Sequence, residues 1–158
     1  MKLAFRNVDA DVSDPVQSWP QEALQTALER GDISHWQRIV AAIKIDPWGS
    51  VARGVEEILT YSRPYGVAGL MERAIAAARD DAVRSEVAEV SARVRSAHEA
   101  SGLTVGGFAE RCGTSGSRMS TYLSGKVVPS AAMLVRMERV AQREQTSQAP
   151  GADDAAAR

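Results

Sequence analysis

The chain has 158 residues, a formal net charge of −1 and 44% apolar residues. This composition fits one compact domain, or two small ones, whose core needs no disulfides. The single cysteine, Cys112, and the two histidines exclude a disulfide framework and a cysteine-rich zinc site. Aromatic residues make up only 5% of the chain, which favours helices over a β-sandwich.

The first 17 residues are predicted to be extended or irregular, because three aspartates and Pro15 interrupt their few apolar residues. They lack the long apolar core of a signal peptide. No apolar run elsewhere approaches the roughly 18 residues that a membrane span requires. We therefore expect a cytoplasmic protein that makes no membrane contact.

Three helices and the start of a fourth are predicted from Trp19 to about residue 80, since apolar residues recur there at helical spacing. The signals that start or end these helices are Pro20, Gly31, Asp32 or Ser34, Asp46-Pro47 and Arg63-Pro64. The third helix is predicted to run to about Tyr61 and the fourth to start near Tyr65. We expect Trp19, Trp36 and Trp48 to anchor the core, with a partner-facing tryptophan as the main alternative. Residues 1–80 are thus predicted to form a small helical bundle that serves a partner protein, an effector or a dimer contact.

A domain boundary is predicted near residues 79–85, where a polar patch lies within the fourth helical stretch. The apolar residues that follow are spaced four and three apart, as in a heptad: Val83, Val87, Val90, Val94 and Ala97. Two heptads of valine make a weak zipper. We therefore expect this stripe to pack on its own domain, with a dimer contact as the alternative.

Two short helices are predicted after residue 100. Thr104 is expected to cap the first, which ends at Gly113, and Ser115 to cap the second, which ends at Gly125. Pro129-Ser130 then starts a last helix. Two short helices joined by a glycine-containing turn, with a flanking helix on each side, form a helix-turn-helix module.

The second half of the chain is weakly basic. Residues 85–145 carry 8 basic and 6 acidic side chains, whereas residues 1–84 carry 10 and 12. This small positive excess permits contacts with phosphates without establishing them. Residues 146–158, with one basic and two acidic side chains, lack periodicity and are predicted to form a disordered tail.

No catalytic residue, metal site or cofactor site is predicted. Asp32, Ser34 and His35 include the residue types of a hydrolytic triad, but adjacency in sequence is not triad geometry. The chain has no Gly-rich phosphate loop and no cluster of metal ligands, and we expect Cys112 to be a packed, inert thiol. We therefore do not expect an enzyme.

Residues 88–142 closely resemble the Cro/CI-like (XRE-type) helix-turn-helix family. The matching residues are Gly102-Leu103-Thr104, Phe108-Ala109, Gly113-Thr114-Ser115, Met119-Ser120, Tyr122, Ser124-Gly125-Lys126, Pro129-Ser130 and Leu134. They occur in the family's order and spacing over about a third of the chain. Together with its helix-rich N-terminal extension, the chain also resembles a group of uncharacterised actinobacterial regulators, a likeness that implies no mechanism.

The resemblance implies a lambda-repressor-like, five-helix DNA-binding domain over residues 85–142, in which the Ser115–Ser124 helix reads bases in the major groove. Its exposed residues are small apart from Arg118, so the helix can enter a groove about 12 Å wide. Carried over by position, the residues that meet base edges are Gly116, Ser117 and Thr121, with Ser120 at the margin. Those that meet phosphates are Ser115, Arg118 and Lys126.

Three positions depart from the family's pattern. Val105 and Gly116 stand where many relatives have longer polar side chains, which removes one expected base contact. Leu123 stands where relatives often have a glutamate paired with a basic residue near His98, and we expect apolar packing there instead. The base sequence that is recognised is therefore harder to predict than DNA binding itself.

The sequence thus predicts an all-α, sequence-specific DNA-binding transcriptional regulator. We expect a repressor that acts as a homodimer on a two-fold site in double-stranded DNA, because one module makes few base contacts. The alternative is an antitoxin-like interaction module. In that case residues 1–80 would bind a partner protein, such as a toxin, and the helix-turn-helix would provide autoregulation.

Overall fold

The computed structural model describes Leu3, Phe5 and residues 9–148. A short 3-10 helix, Val16–Ser18, precedes seven α-helices: α1 (Gln21–Arg30), α2 (Ile33–Ile45), α3 (Ser50–Tyr61), α4 (Val67–Ser101), α5 (Val105–Cys112), α6 (Gly116–Leu123) and α7 (Ala131–Gln148). No strand occurs in this part of the chain, so the predicted all-α fold is confirmed. None of these helices is both long and apolar enough to cross a membrane.

The chain divides into two compact units, residues 1–83 and 84–158, and each has its own apolar core. α4 is a continuous helix of 35 residues that contributes its first half to one unit and its second half to the other. The polar patch near residues 79–85 therefore lies inside a helix, since nothing in its sequence breaks helical geometry.

The N-terminal unit packs α1, α2, α3 and the first half of α4 around a fully buried core, whose largest members are Leu28, Ile39, Ile43, Ile58 and Met71. Trp19 is buried in this core. Trp36 is half-buried against it, and its indole N–H donates to the Ala27 carbonyl at 3.1 Å. The expected anchoring role is thus observed for these two tryptophans.

Trp48 is 47% exposed, so its predicted core role was wrong. Asp46-Pro47 does not start α3. Instead, the Gly49 N–H donates to the Asp46 carbonyl at 3.1 Å and closes a turn, and α3 begins only at Ser50. Trp48 therefore lies in the loop before α3, where Pro47 is buried and Trp48 is left exposed.

Arg38 attaches the irregular segment before α1 to the bundle. Its guanidinium donates to the backbone carbonyls of Val12 and Asp14 and lies 5.0 Å from the centre of the Trp19 ring. Phe5 packs edge-on against the same ring, with the two centroids 5.1 Å apart. One α2 side chain thus attaches to the bundle a segment whose own hydrogen bonds are only those of turns and one 3-10 helix.

Asp32 caps α2 rather than forming part of a triad. The same oxygen, Oδ1, accepts from the Ser34 hydroxyl at 2.6 Å and lies 2.8 Å from His35 Nδ1. Hydrogen bonds from Ser34 and then His35 lower the pKa of Asp32 to about 2. Because serine and histidine contact one carboxylate oxygen, the histidine does not lie between them as catalysis requires.

The C-terminal unit consists of the second half of α4 and α5, α6 and α7. This is four helices among the described residues, where five were expected. Its core includes Val94, Phe108, Met119 and Met137, all fully buried. α7 remains a single helix because no glycine or proline interrupts residues 131–148.

α7 also extends three residues into the expected tail. The Thr146 hydroxyl donates to the Gln142 carbonyl at 2.9 Å, and the Ser147 hydroxyl donates to the Arg143 carbonyl at 3.0 Å. The prediction of disorder was therefore wrong for residues 146–148, where side chains support the helix. The rest of the predicted tail, residues 149–158, lies outside the described residues.

The valine stripe of α4 faces inward along its second half. Val94 and Ala97 are buried in the core of the C-terminal unit, and Val90 packs partly against that core. Val83, at the other end, is 48% exposed. Most of the stripe is therefore used for packing within its own unit, as the favoured interpretation expects.

α2 offers a direct test of this packing, because it carries both fully buried and exposed isoleucines, of which Ile39 and Ile45 form a matched pair. We expect Ile39→Ala to lower the free energy of unfolding by about 2–5 kcal/mol through lost burial and a new cavity. Ile45→Ala, at a position 77% exposed, should change it by less than about 0.5 kcal/mol. Urea unfolding followed by circular dichroism measures both, and equal losses would contradict the orientation of α2.

Candidate nucleic-acid interface

A tight turn joins α5 to α6. Gly113 has φ 72° and ψ 39°, the left-handed conformation that glycine adopts most readily, and it ends α5 as predicted. The Thr114 N–H donates to the Ala109 carbonyl at 2.9 Å, and the Gly113 N–H donates to the Glu110 carbonyl at 3.0 Å. These bonds satisfy the last carbonyls of α5 and direct the chain into α6.

Both ends of α6 are fixed by local bonds. The Ser115 hydroxyl oxygen accepts from the Arg118 N–H at 3.3 Å at the start of the helix. Beyond the other end, Gly125 has φ 74°, and the Val127 N–H donates to the Thr121 carbonyl at 3.2 Å. The two predicted boundaries of this helix are therefore confirmed.

Gly125 also lies directly against α4. A Cβ atom at this position would lie 2.8 Å from the Ser91 hydroxyl oxygen, which is closer than real Cβ atoms approach. Any larger residue at 125 therefore forces Ser91 or the turn after α6 to shift. Ser91 is 34 residues away in sequence, so no local pattern identifies it as the partner.

The inner face of α6 is apolar. Met119 and Tyr122 are buried in the core of the C-terminal unit, and Leu123 packs partly against that core. Arg95 of α4 donates to the Leu123 carbonyl at 3.2 Å. Leucine thus packs apolarly where relatives of the resembled family have an ion pair, and a basic side chain near His98 binds backbone instead.

The outer face of α6 and the turn after it bring all seven predicted DNA-contact residues together. They are Ser115, Gly116, Ser117, Arg118, Ser120, Thr121 and Lys126. Five of them are exposed, and the other two, Gly116 and Thr121, are half-buried. Because Met119 and Tyr122 point inward, the helical period places the small residues on the opposite side.

Two of the hydroxyl protons on this face, those of Ser120 and Thr121, are engaged by the helix backbone. Ser120 donates to the Gly116 carbonyl at 3.0 Å, and Thr121 donates to the Arg118 carbonyl at 2.7 Å. Each oxygen keeps lone pairs that can accept a hydrogen bond. In this arrangement the two hydroxyls can accept from the amino groups of adenine or cytosine, which donate into the major groove.

All charged side chains in the segment that contains α6 are basic. Residues 111–137 contain four basic and no acidic side chains. Arg111 is paired with Glu144, and Arg136 donates to the Cys112 carbonyl at 3.1 Å. Arg118 and Lys126 make no ion pair with any carboxylate of residues 9–148, so their charges are available to an external anion.

Cys112 and His98 have packing roles. Burial raises the pKa of the Cys112 thiol, against a smaller opposing effect of Arg136, so the thiol stays protonated and unreactive. The His98 ring lies 5.4 Å from the Phe108 ring. Within the part of the chain that the structure describes, no group of three or more His, Cys, Asp or Glu residues could hold a metal ion.

Residues 89–148 match the model of a family described as a helix-turn-helix domain. The match covers 60 of the 158 residues, so it identifies what this segment is similar to. The match spans the last part of α4 together with α5, α6 and α7, and it supports DNA binding by the module. No curated protein and no solved structure matches the chain.

The contact of Gly125 with Ser91 can be tested against a second left-handed glycine in the same unit. Gly113→Ala should cost about 1–2 kcal/mol of stability from backbone strain alone, since its nearest neighbour would be Arg136 Nη1 at 3.5 Å. Gly125→Ala should cost about 2–4 kcal/mol, because overpacking adds to that strain.

Removing the Ser91 hydroxyl provides the control for that comparison. A Cβ at residue 125 would then face only Ser91 Cβ at 3.5 Å, an ordinary contact. Adding Gly125→Ala to the Ser91→Ala variant should therefore cost only the backbone strain. That loss of stability should be no larger than the loss that Gly113→Ala causes in the wild type. Chemical unfolding of the four variants measures these differences. If Gly125→Ala lowered the stability by the same amount with and without the Ser91 hydroxyl, the contact would be refuted.

Proposed function

We propose that the protein is a sequence-specific transcriptional regulator that represses by binding double-stranded DNA as a homodimer, with α6 in the major groove. The observation that carries this proposal is the outer face of α6. It is made of small side chains, it lies in a stretch free of acidic residues, and its two cations are unpaired. The role is regulatory and not enzymatic, in keeping with the helix-turn-helix match.

Base recognition falls to the small residues of α6. Gly116, Ser117 and Thr121 meet base edges, and Ser120 lies at the margin. Without long side chains the helix backbone can approach the base pairs closely, so that hydroxyl groups reach the groove floor directly. The hydroxyl oxygens of Ser120 and Thr121 are supported as acceptors by their own bonds to the helix backbone.

Phosphate binding falls to the two ends of α6. Ser115 and Arg118 lie at its N-terminus, where free backbone N–H groups also favour an anion. Lys126 lies in the turn after the helix, next to Gly125. Contacts at both ends would fix the direction and depth of the helix in the groove, which is the usual task of phosphate contacts.

A homodimer follows from the small number of base contacts that one α6 helix can make. Two such helices on a two-fold site double the contacts and give the specificity that a regulator needs. The centres of the half-sites would then lie roughly 34 Å apart, about one turn of DNA. A repressor of this kind would bind the DNA upstream of its own gene.

Arg118 provides the test of phosphate binding. We expect Arg118→Ala to weaken binding to that upstream DNA about 5-fold per half-site and to reduce the slope of log affinity against log salt by about one per half-site, hence by about two for the dimer. Fluorescence anisotropy with a scrambled competitor, at about 50 and 200 mM salt, measures both. Arg53→Ala, which removes the same charge from an exposed position on α3, is the matched control. It should change neither the affinity nor the salt slope.

Thr121 provides the test of base recognition. Thr121→Val keeps the shape of the side chain but removes its hydroxyl, so we expect the discrimination between cognate and scrambled DNA to fall by about 1 kcal/mol per half-site. The salt slope should stay unchanged, because no phosphate contact is lost. Unchanged affinity, specificity and salt slope in both variants would refute this docking of α6.

A further inference from the structure

An open apolar groove of about 440 Å³ lies on the N-terminal unit between α2 and α4. Ile33, Trp36 and Val40 form its α2 side, and Leu70 of α4 faces them. Ile33 is 66% exposed and Leu70 is 38% exposed, which is unusual for large aliphatic side chains that lie next to one another. Grouped exposed apolar residues of this kind mark interaction surfaces.

The apolar stripe of α2 is wider than the core beneath it. Ile39 and Ile43 point into the core and are fully buried, and Trp36 and Val40 pack partly against it. Ile33, at the outer edge of the stripe, is left 66% exposed at the groove. This exposed edge, together with Leu70, is a surface that a partner of matching chemistry can cover.

The charges at the two ends of α2 indicate that partner. Asp32, at the start, uses only Oδ1 to cap the helix, and its side chain is 70% exposed. Its Oδ2 makes no hydrogen bond within residues 9–148. Lys44, in the last turn, lines the groove and makes no ion pair within the same residues.

The negative charge of Asp32 at the start of α2 and the positive charge of Lys44 at its end are complementary when two copies of α2 pair antiparallel. A two-fold axis between Gln37 and Val40 would set Ile33 beside the partner's Lys44, and Trp36 beside the partner's Ala41. The free oxygen of Asp32 would then face the ammonium group of Lys44 of the partner subunit, and the same contact would recur at the other end. Opposed helix termini add a favourable interaction of the two dipoles.

We propose that this groove is the homodimer interface, and that its occupant is α2 of a second copy of the chain. In this isologous contact every interaction occurs twice. Ile33 and Leu70 leave water in both subunits, and two Asp32–Lys44 pairs fix the antiparallel register. The inference rests on the homodimer of the proposed function, but it concerns association in the absence of DNA.

Sedimentation equilibrium of the full-length protein without DNA, from about 0.1 to 100 μM, tests the interface. Ile33→Glu should raise the dimer dissociation constant about 30-fold or more, because two buried contacts are lost in each dimer. Glutamate suits the first turn of a helix, so the monomer should remain folded, which circular dichroism checks. Lys44→Glu, at an exposed position, should weaken the dimer about 10-fold by setting carboxylates against each other.

Two further variants serve as controls. Asp32→Asn keeps a good N-cap and removes the negative charge, so adding it to Lys44→Glu should recover several-fold in affinity. Val83→Glu places the same new charge at a position 48% exposed on the α4 stripe, the other apolar surface considered for a dimer. It should leave the dissociation constant unchanged.

The antiparallel register has its own test. In the double variant Ile33→Cys/Lys44→Cys, the two new thiols of one chain are about 16 Å apart along α2, too far for a disulfide within the chain. Mild oxidation should therefore link two chains covalently, whereas Ile33→Cys alone should not. The native thiol, Cys112, is buried and does not compete.

The possible outcomes separate this inference from DNA binding. Three results would overturn the proposed interface. The protein could stay monomeric at 100 μM, or the dimer could be weakened by Val83→Glu but not by Ile33→Glu. The third is that only a different protein, and no second copy of the chain, binds in the groove. A monomer that still binds its upstream DNA specifically would overturn the dimer and leave the DNA contact standing. A protein that forms the dimer with the expected effects of the variants, but binds no DNA, would support the interface and overturn the proposed DNA contact.

Discussion

The position of α6 depends on the close approach between the turn that follows it and α4. Gly125 adopts a left-handed conformation there, and a single added carbon would collide with the Ser91 hydroxyl. Met119 and Tyr122 hold the opposite side of the helix in the core. With packing on one side and a tight turn at each end, the outer face of α6 has a fixed orientation, which a surface that reads bases requires.

Several arginines of the C-terminal unit join its own helices. Arg93 binds Glu138 at 2.9 Å, Arg111 pairs with Glu144, and Arg136 donates to the Cys112 carbonyl. The modest positive charge of the segment therefore does not indicate which cations can meet DNA. Internal contacts help to make that distinction, because they occupy Arg111 and Arg136 on either side of α6, whereas Arg118 and Lys126 make no ion pair among the described residues.

The N-terminal unit has a comparable division between α2 side chains that hold the fold and those that are free. Arg38 fixes the irregular segment before α1, and Asp32 caps its own helix with one carboxylate oxygen. Lys44 and the exposed side chain of Ile33 have no such contact among the described residues. The unit carries no catalytic constellation around Ser34 and His35, since both contact Asp32 as part of the cap. What it offers is a shaped apolar surface with opposite charges at its two ends.

The sequence by itself determined where most helices begin and end and which segment forms the helix-turn-helix. Caps such as Thr104 and Ser115, and glycines with positive φ such as Gly113, act on backbone groups within a few residues, so their effect is visible locally. The same local patterns placed the seven candidate contact residues on one helix and the turn after it. They failed at Asp46-Pro47, where a turn formed in place of a helix start and left Trp48 exposed.

Only the tertiary structure decided which apolar and charged residues are used within the fold. Helical spacing marks one face of α2 as apolar, but it does not show that Ile39 is buried and Ile33 is left open. Nor does it show that Ser91 excludes a side chain at residue 125, or which glutamate neutralises Arg111. The physical reason is the same in each case: burial and ion pairing depend on partners tens of residues away, and packing alone brings those partners together.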